Sequence, residues 1–503
     1  MESKIQRLRG ALLELAHLNH FKFLAEWDQE ANLPTGHFGH EARAEALSTI
    51  AKLIHSKFIS HEFEDALAEA RVSMDLGILS PDEVCIVRET LKEFEKLKKI
   101  PASLIAETAL VTGKAYDVWV NAHKNSDFKL FAPHLKRIIE LARQEAECVG
   151  YSGSPYNALI DDHAPGMTTE SADKMFKPLK EFLIPFIQKI QNSKVKINTD
   201  FLNARVSVED QRKFVESLVV ALGYNLKQGR LGVSQHPFST SFHPTDCPIT
   251  IRYVENNFVC EAIYSAVHEA GHGMYEQGLP VEFFGTPRGA SMEHDVHEAM
   301  SRLWEMVVGH SLPFCKYLLP LLKFNFPQIF GDVYVNQFYT AINKVTPSLV
   351  RTESDEVTYN LHIILRYEIE KALFEGNLGV EDSPSVWNAK MKEYLGVQVP
   401  NDAKGILQDG HWASAAFGYF PAYTSGNLGS AQFYEAIKAV VPLKLQIAAG
   451  NFKDTNRWLH NNIYRHSKIY SSSELFQRAT GEPLSEKYWI SYVTDKYSEI
   501  YLL

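Results

Sequence analysis

Apolar residues recur at three- and four-residue spacing through most of this chain, with charges filling the positions between them. Arg43-Ala-Glu-Ala-Leu-Ser-Thr-Ile-Ala-Lys-Leu-Ile54 and Phe131-Ala-Pro-His-Leu-Lys-Arg-Ile-Ile-Glu-Leu-Ala-Arg143 are two such stretches, and that period predicts amphipathic helices. Glu93-Phe-Glu-Lys-Leu-Lys-Lys-Ile100 reads as the solvated face of another. The pattern breaks at Leu33-Pro-Thr-Gly36, from Gly150 to Pro155, and at His163-Ala-Pro-Gly166, where proline and glycine oppose helix continuation. Residues 1–150 therefore read as an N-terminal helical region, and helical periodicity resumes over 170–225.

Residues 228–260 differ, being rich in Gly, Pro, Ser and Thr, with a β-prone run Ile249-Thr-Ile-Arg-Tyr-Val254. They predict a small sheet or hairpin. Long helices return from 295 to about 395, followed by a loop-rich stretch over 401–430. That stretch carries Gln408-Asp-Gly-His-Trp412 and Phe417-Gly-Tyr-Phe-Pro-Ala-Tyr-Thr424, and loops dense in His, Trp and Tyr are candidate cleft walls. No internal repeat or low-complexity linker divides the chain. The expected fold is one mainly α unit over residues 1–503, with a small β region at 228–260 and the functional core within 261–430.

Composition narrows the class. The 503 residues are 45% hydrophobic, enough for a large buried core. The net charge of −10, with its signs scattered, lacks the basic footprint of a nucleic-acid binder. Met1-Glu-Ser-Lys-Ile-Gln-Arg-Leu-Arg9 has no secretory apolar region. No apolar run reaches the roughly 18 residues that a membrane span needs. Five scattered cysteines, odd in number and without a Cys-x-x-Cys pair, fit a reduced cytoplasmic protein.

The most informative chemistry lies directly after the β region, in His268-Glu-Ala-Gly-His272 within Cys260–Gln277. On a helix, residues four apart share a face, so His268 and His272 can reach one metal ion. Glu269 stands beside the first of them, where it can take a proton from an attacking water. Ala262, Ile263, Ala266 and Val267 predict a buried helix, in which two histidines and a glutamate need partners. Gly271 and Gly273 each weaken that helix by about 1 kcal/mol; small residues there let another element or a substrate approach closely.

A catalytic site of this type needs a third protein ligand. The metzincin continuation is absent, and the better candidate lies in Met292–Glu305. Glu298 falls at the centre of that segment, with Arg302 one turn on and able to orient it. Glu293, His294, Asp295 and His297 are rivals that position does not rank.

Longer matches accompany the pentapeptide. They include Trp27-Asp28 with Leu33-Pro34, Asp162-His-Ala-Pro-Gly-Met-Thr168, His236-Pro-Phe238 and His268-Glu-Ala-Gly-His-Gly-Met-Tyr-Glu-Gln-Gly278. Others are Val296-His-Glu298 with Ser301-Arg-Leu-Trp304, Pro347-Ser-Leu-Val-Arg351 with Asp355-Glu-Val-Thr-Tyr-Asn360, and Gly405-Ile-Leu-Gln-Asp-Gly-His-Trp412. On these segments the chain resembles, over essentially its whole length, the M32 family of metallocarboxypeptidases of the thermostable carboxypeptidase Taq type.

The resemblance implies a mostly helical, deep-grooved fold, a homodimer, and broad-specificity release of C-terminal residues. It also implies one divalent metal per chain, zinc first and cobalt as the alternative. The family's third ligand falls on Glu298, and its Ile-Arg-x-x-Ala-Asp motif on Val350-Arg-Thr-Glu-Ser-Asp355. Two departures stand out. The family's Asp-x-Arg-x-Thr is here Asp246-Cys-Pro-Ile-Thr250, with Pro248 in the arginine's place. Its His-Glu-Ser/Gly-Gln is His297-Glu-Ala-Met300. Arg252, four residues after Pro248, is a candidate replacement for the missing charge.

The expected reaction is metal-assisted peptide hydrolysis with Glu269 as general base. An enzyme acting at chain ends also needs a cation for the terminal carboxylate, which a guanidinium reads bidentately. Arg351 is the candidate; the competing role is an ion pair with Asp355 or Glu353. His236, His411 and Tyr423 are candidates to stabilise an oxyanion or clamp the substrate backbone. The expected partners are therefore peptides with a free C-terminus, and the nearest alternative activity is that of a metallo-oligopeptidase or endopeptidase. A peptidase-derived binding protein of low activity is the third.

Overall fold

The computed structural model describes residues 5–32 and 37–503; the Leu33-Pro-Thr-Gly36 break lies outside them. The molecule is built almost wholly of helices, in keeping with the apolar period. Helices Gln6–Ala31, His37–Phe58, His61–Asp75 and Pro81–Lys98 come first. Sequence signals set their ends. Ser60 accepts the backbone N–H of Phe63, while Ser80 and Glu83 form a reciprocal capping box ahead of Pro81, satisfying N–H groups that have no partner inside the helix.

These helices share a core of their own, in which Leu8, Leu12, Leu15, Phe63, Leu67, Ile86 and Phe94 meet. The next two, Ala102–Asn125 and Phe128–Val149, pack together and send Phe131, Leu135 and Ile138 into the main core instead. Polar ties join the first four helices to the body. Arg288 Nε donates to Asp82 Oδ1 at 2.6 Å, and Arg88 Nη2 donates to the carbonyl of Lys468 at 2.8 Å.

The β region forms as two strands, β1 (Leu231–Val233) and β2 (Ile249–Ile251), paired in parallel with Leu231 opposite Ile249. A hairpin is therefore ruled out: the parallel pairing makes residues 234–248 a crossover loop. All of β2 is buried, and it packs on the helix Tyr264–Gln277, termed here the motif helix. That helix is preceded by a π-helical turn, Val259–Ile263, so the whole Cys260–Gln277 segment is helical as expected.

Three more helices complete the site. The ligand helix, His294–Arg302, runs into a second π-helical segment, Leu303–Gly309. The arginine helix, Glu356–Phe374, starts at Asp355, whose Oδ1 accepts the backbone N–H of Val357 and Thr358, both at 3.0 Å. The tyrosine helix, Phe420–Lys438, corrects the expectation of a loop through residue 430. Its run Thr424-Ser-Gly-Asn-Leu-Gly-Ser-Ala-Gln432 is buried on every face. No polar stripe survives there to betray the helical period.

Candidate active site

The motif helix and the ligand helix cross at very short range. A Cβ on Gly271 would lie 2.8 Å from the Ser301 Cα and 2.9 Å from the Met300 carbonyl oxygen. The tyrosine helix presses on the same point from the other side, where a Cβ on Gly426 would lie 2.6 Å from Glu298 Cγ. Glycine at both positions lets three backbones converge, and the side chains that then face one another are His268, His272 and Glu298. One ligand atom from each lies within 4.8 Å of the others.

Their surroundings preset which atoms point inward. His268 Nδ1 meets Glu305 Oε2 at 2.8 Å, which holds a proton on Nδ1 and turns Nε2 inward. His272 Nδ1 is engaged by His297 Nδ1 at 2.6 Å. Glu298 Oε2 then sits 3.5 Å from His272 Nε2 and 3.9 Å from His268 Nε2. Such separations approach the edge of a tetrahedron built on metal–ligand bonds of about 2.0–2.2 Å. Arg302 Nε donates to Glu298 Oε1 at 2.7 Å, as the one-turn spacing implies. Its Nη1 reaches Glu305 at 3.3 Å.

Charge follows from these contacts. Burial opposes ionisation of Glu298, but Arg302 and the two imidazoles outweigh it and hold the carboxyl well below the usual range. Burial pushes Glu269 up to about 7, with His268 opposing and the Glu298 and Glu305 carboxylates adding to the rise. Glu269 Oε2 is buried without a hydrogen-bond partner. Such an atom fits a centre that brings a cation and an ordered water into the space before it. The donor set of two imidazoles and one carboxylate suits a divalent ion such as zinc or cobalt.

These groups line a cavity of about 490 Å³, together with Arg351, Tyr359, Tyr419 and Tyr423. It adjoins a chamber of about 930 Å³ between the first four helices and the body, and Ser239, Ser291, Glu293 and His297 line both. Arg351 is buried. It is not paired with Asp355, which caps the arginine helix, but with Asp409, to which Nε donates at 3.2 Å and Nη2 at 3.0 Å. Arg366 Nε binds the other oxygen of Asp409 at 2.6 Å. Arg351 Nη1 reaches the Tyr359 hydroxyl at 3.2 Å.

Of the sequence candidates, His268, Glu269, His272, Glu298, Arg351 and Tyr423 meet in one cavity. His236 is exposed on the crossover loop, and its neighbours Pro237 and Phe238 take the lining positions. His411 lies behind the wall, its ring 4.8 Å from that of Phe420 and its Nδ1 3.9 Å from Asp409. Among the rival ligands, Asp295 turns to the Ser472 hydroxyl at 3.0 Å and Glu293 pairs with Lys468 at 2.6 Å. Arg252 is exposed, 3.8 Å from Glu261, and takes no place in the cavity wall. Ala299 and Met300 are fully buried in the main core, so this departure from the family pattern trades polar for apolar packing beneath the site.

Sequence reading missed Glu305, Tyr359, Tyr419 and Asp409. Glu305, seven residues after Glu298, was visible in the helical period. Asp409 was not, since 58 residues separate it from Arg351.

A family profile described as carboxypeptidase Taq (M32) metallopeptidase matches residues 7–497. The chain belongs to the M32 family. Thermostable carboxypeptidase 1 of Thermus thermophilus is 38% identical over 99% of both chains. Carboxypeptidase 1 of Bacillus subtilis is 35% identical over 98% of this chain and 97% of its own. The crystal structure of an M32 carboxypeptidase from Deinococcus radiodurans R1 superposes with a TM-score of 0.96 at 36% identity, covering 99% of each chain. This M32 protein is therefore a metallocarboxypeptidase, and the family implies a divalent metal at its centre.

Proposed function

We propose that the enzyme releases C-terminal residues from peptides with broad specificity, using His268, His272 and Glu298 to hold one divalent metal, zinc in preference to cobalt. When bound, that ion supplies Lewis acidity toward a water and the scissile carbonyl. Glu269, partnerless at Oε2 and raised to about 7, takes the water's proton and delivers it to the leaving amine. Tyr423 and Tyr419 stand in the same wall as candidate donors to the developing oxyanion.

The observation that carries this reading is the setting of Arg351. Asp409 occupies its Nε/Nη2 edge and the Tyr359 hydroxyl meets Nη1, which leaves one N–H on each terminal nitrogen for another ligand. Asp409 also stands between two guanidiniums, so one carboxylate does not neutralise the pair. A terminal carboxylate in the cavity meets a buried, oriented cation. The upstream peptide then runs toward the larger chamber. His236 and His411 act at most through the loops that carry Phe238 and Asp409.

The deciding experiment compares hydrolysis of one short peptide with a free and with an amidated C-terminus. A strong preference for the free acid supports the carboxypeptidase reading, and equal rates point to an oligopeptidase instead. A homodimer in a reduced cytoplasmic setting completes the proposal. All five cysteines are free, and no helix among the described residues is long and apolar enough to cross a membrane.

A further inference from the structure

His297 was a rival for the third ligand position, and the structure gives it different contacts. Its Nδ1 lies 2.6 Å from His272 Nδ1, and its Nε2 lies 2.9 Å from Glu276 Oε1. Only one arrangement of protons satisfies both contacts while leaving His272 Nε2 free. His272 Nδ1–H donates to His297 Nδ1, and His297 Nε2–H donates to the Glu276 carboxylate. The His297 ring is held by tilted ring contacts, with centroids 4.6 Å from His272 and 5.2 Å from Tyr275. The two metal-facing histidines are thus backed unequally. His268 leans on a carboxylate directly, whereas His272 reaches one only through a second imidazole.

We infer that His297 and Glu276 are positioning residues, a two-step support that fixes the tautomer and ring direction of His272 for the metal. This rests on the ligand set proposed above. It also explains why a histidine sits beside Glu298 on the ligand helix without joining it. Glu276 and His297 both line the larger chamber, so the support stands at the edge of the space into which upstream peptide runs.

The test is zinc affinity by chelator competition, with the visible spectrum of the Co²⁺-loaded full-length protein as a second readout. His297→Ala and Glu276→Gln are each expected to weaken zinc by about 10–100-fold, the usual cost of losing an outer hydrogen bond to a ligand. The cobalt bands should shift while the far-ultraviolet circular dichroism stays unchanged. His297→Asn, which returns an acceptor near Nδ1, should recover part of the affinity. Unchanged affinity and spectrum in folded His297→Ala would overturn the assignment. So would outright loss of stoichiometric binding in that variant, which would make His297 a direct ligand. Glu276→Gln keeps the question open to refutation if His297→Ala does not fold. Failure of the wild-type chain to bind one zinc would instead strike the proposed ligand set itself.

Discussion

At the scale of single residues, the site separates three tasks that are chemically close. Glu298 is held ionised by Arg302, Glu269 is kept protonatable by burial, and Glu305 spends its charge on orienting His268. Three neighbouring carboxylates are thus suited to different proposed roles by their surroundings alone. Glu269→Gln is expected to reduce turnover by about 10²–10⁴-fold while zinc content, read by elemental analysis, stays at one per chain. Arg351→Ala should raise KM for free-acid peptides by at least about tenfold, as expected for loss of a charge-assisted contact of about 1.5–3 kcal/mol, and leave amidated peptides unaffected. An equal effect on both substrates would detach Arg351 from the carboxylate. The two histidines of the proposed ligand set and Glu269 were legible because a helix writes them four residues apart or adjacent, whereas Glu298, on a separate helix, was ranked above its rivals by the family resemblance. The partner of Arg351 was not, because loop 405–419 folds back from a distant part of the chain. His236 and His411 show the same limit: their motifs were legible, and which side chains of those loops line the cavity was not.

Among the elements, the arginine helix has the most unusual burial. Glu370, near its C-terminal end, is fully buried and accepts from Trp412 Nε1 at 2.6 Å, from the Gly418 N–H at 2.9 Å, and from the Tyr156 hydroxyl. It ties the loop bearing Asp409 and Tyr419 to the helix bearing Arg366. Burial raises its carboxyl to about 7, although these three donors and Arg366 pull the other way. A raised carboxyl pKa means that the folded state holds its proton more tightly than the unfolded one. The stability it contributes is therefore fully present below about 4.5 and lost as the pH rises through about 7. The melting-temperature advantage of wild type over Glu370→Gln should shrink steadily between those values, and a constant difference would contradict the assignment. The tyrosine helix teaches why an element can escape prediction. Glycines and serines that look like loop residues are there because Gly426 and Gly429 must pass against Glu298 and Phe476. Close packing imposed the composition, and the amphipathic signal vanished with it.

At the scale of the molecule, the mainly α class was readable from the apolar period, and the small β region from a shift in composition with a β-prone run. The grouping of helices was not. Residues 1–150 read as one helical region, yet Leu8, Phe63 and Phe94 share one core while Phe131 and Leu135 join another. Periodicity reports that a face is buried without saying against what. The first two helices line the 930 Å³ chamber with Leu12, Leu15, Phe23, Ile54 and Phe58, and the fourth adds Glu93 and Leu97, a surface suited to extended chain rather than to a folded domain. Hydrolysis should thus proceed on short peptides and on a denatured protein, and fail on the same protein in its native state. Comparable rates on the native form would require the chamber to open widely.

The close crossing at Gly271 and Gly426 bears on heat as well as on geometry. Side chains gain freedom on warming long before helix axes separate, and here the spacing of the proposed ligands is set by backbone against backbone. The coordination geometry should therefore persist until the crossing itself gives way. On slow heating, release of zinc to an indicator dye and loss of helical dichroism are expected in a single transition. Ala at position 271 should lower that transition and keep the two events joined.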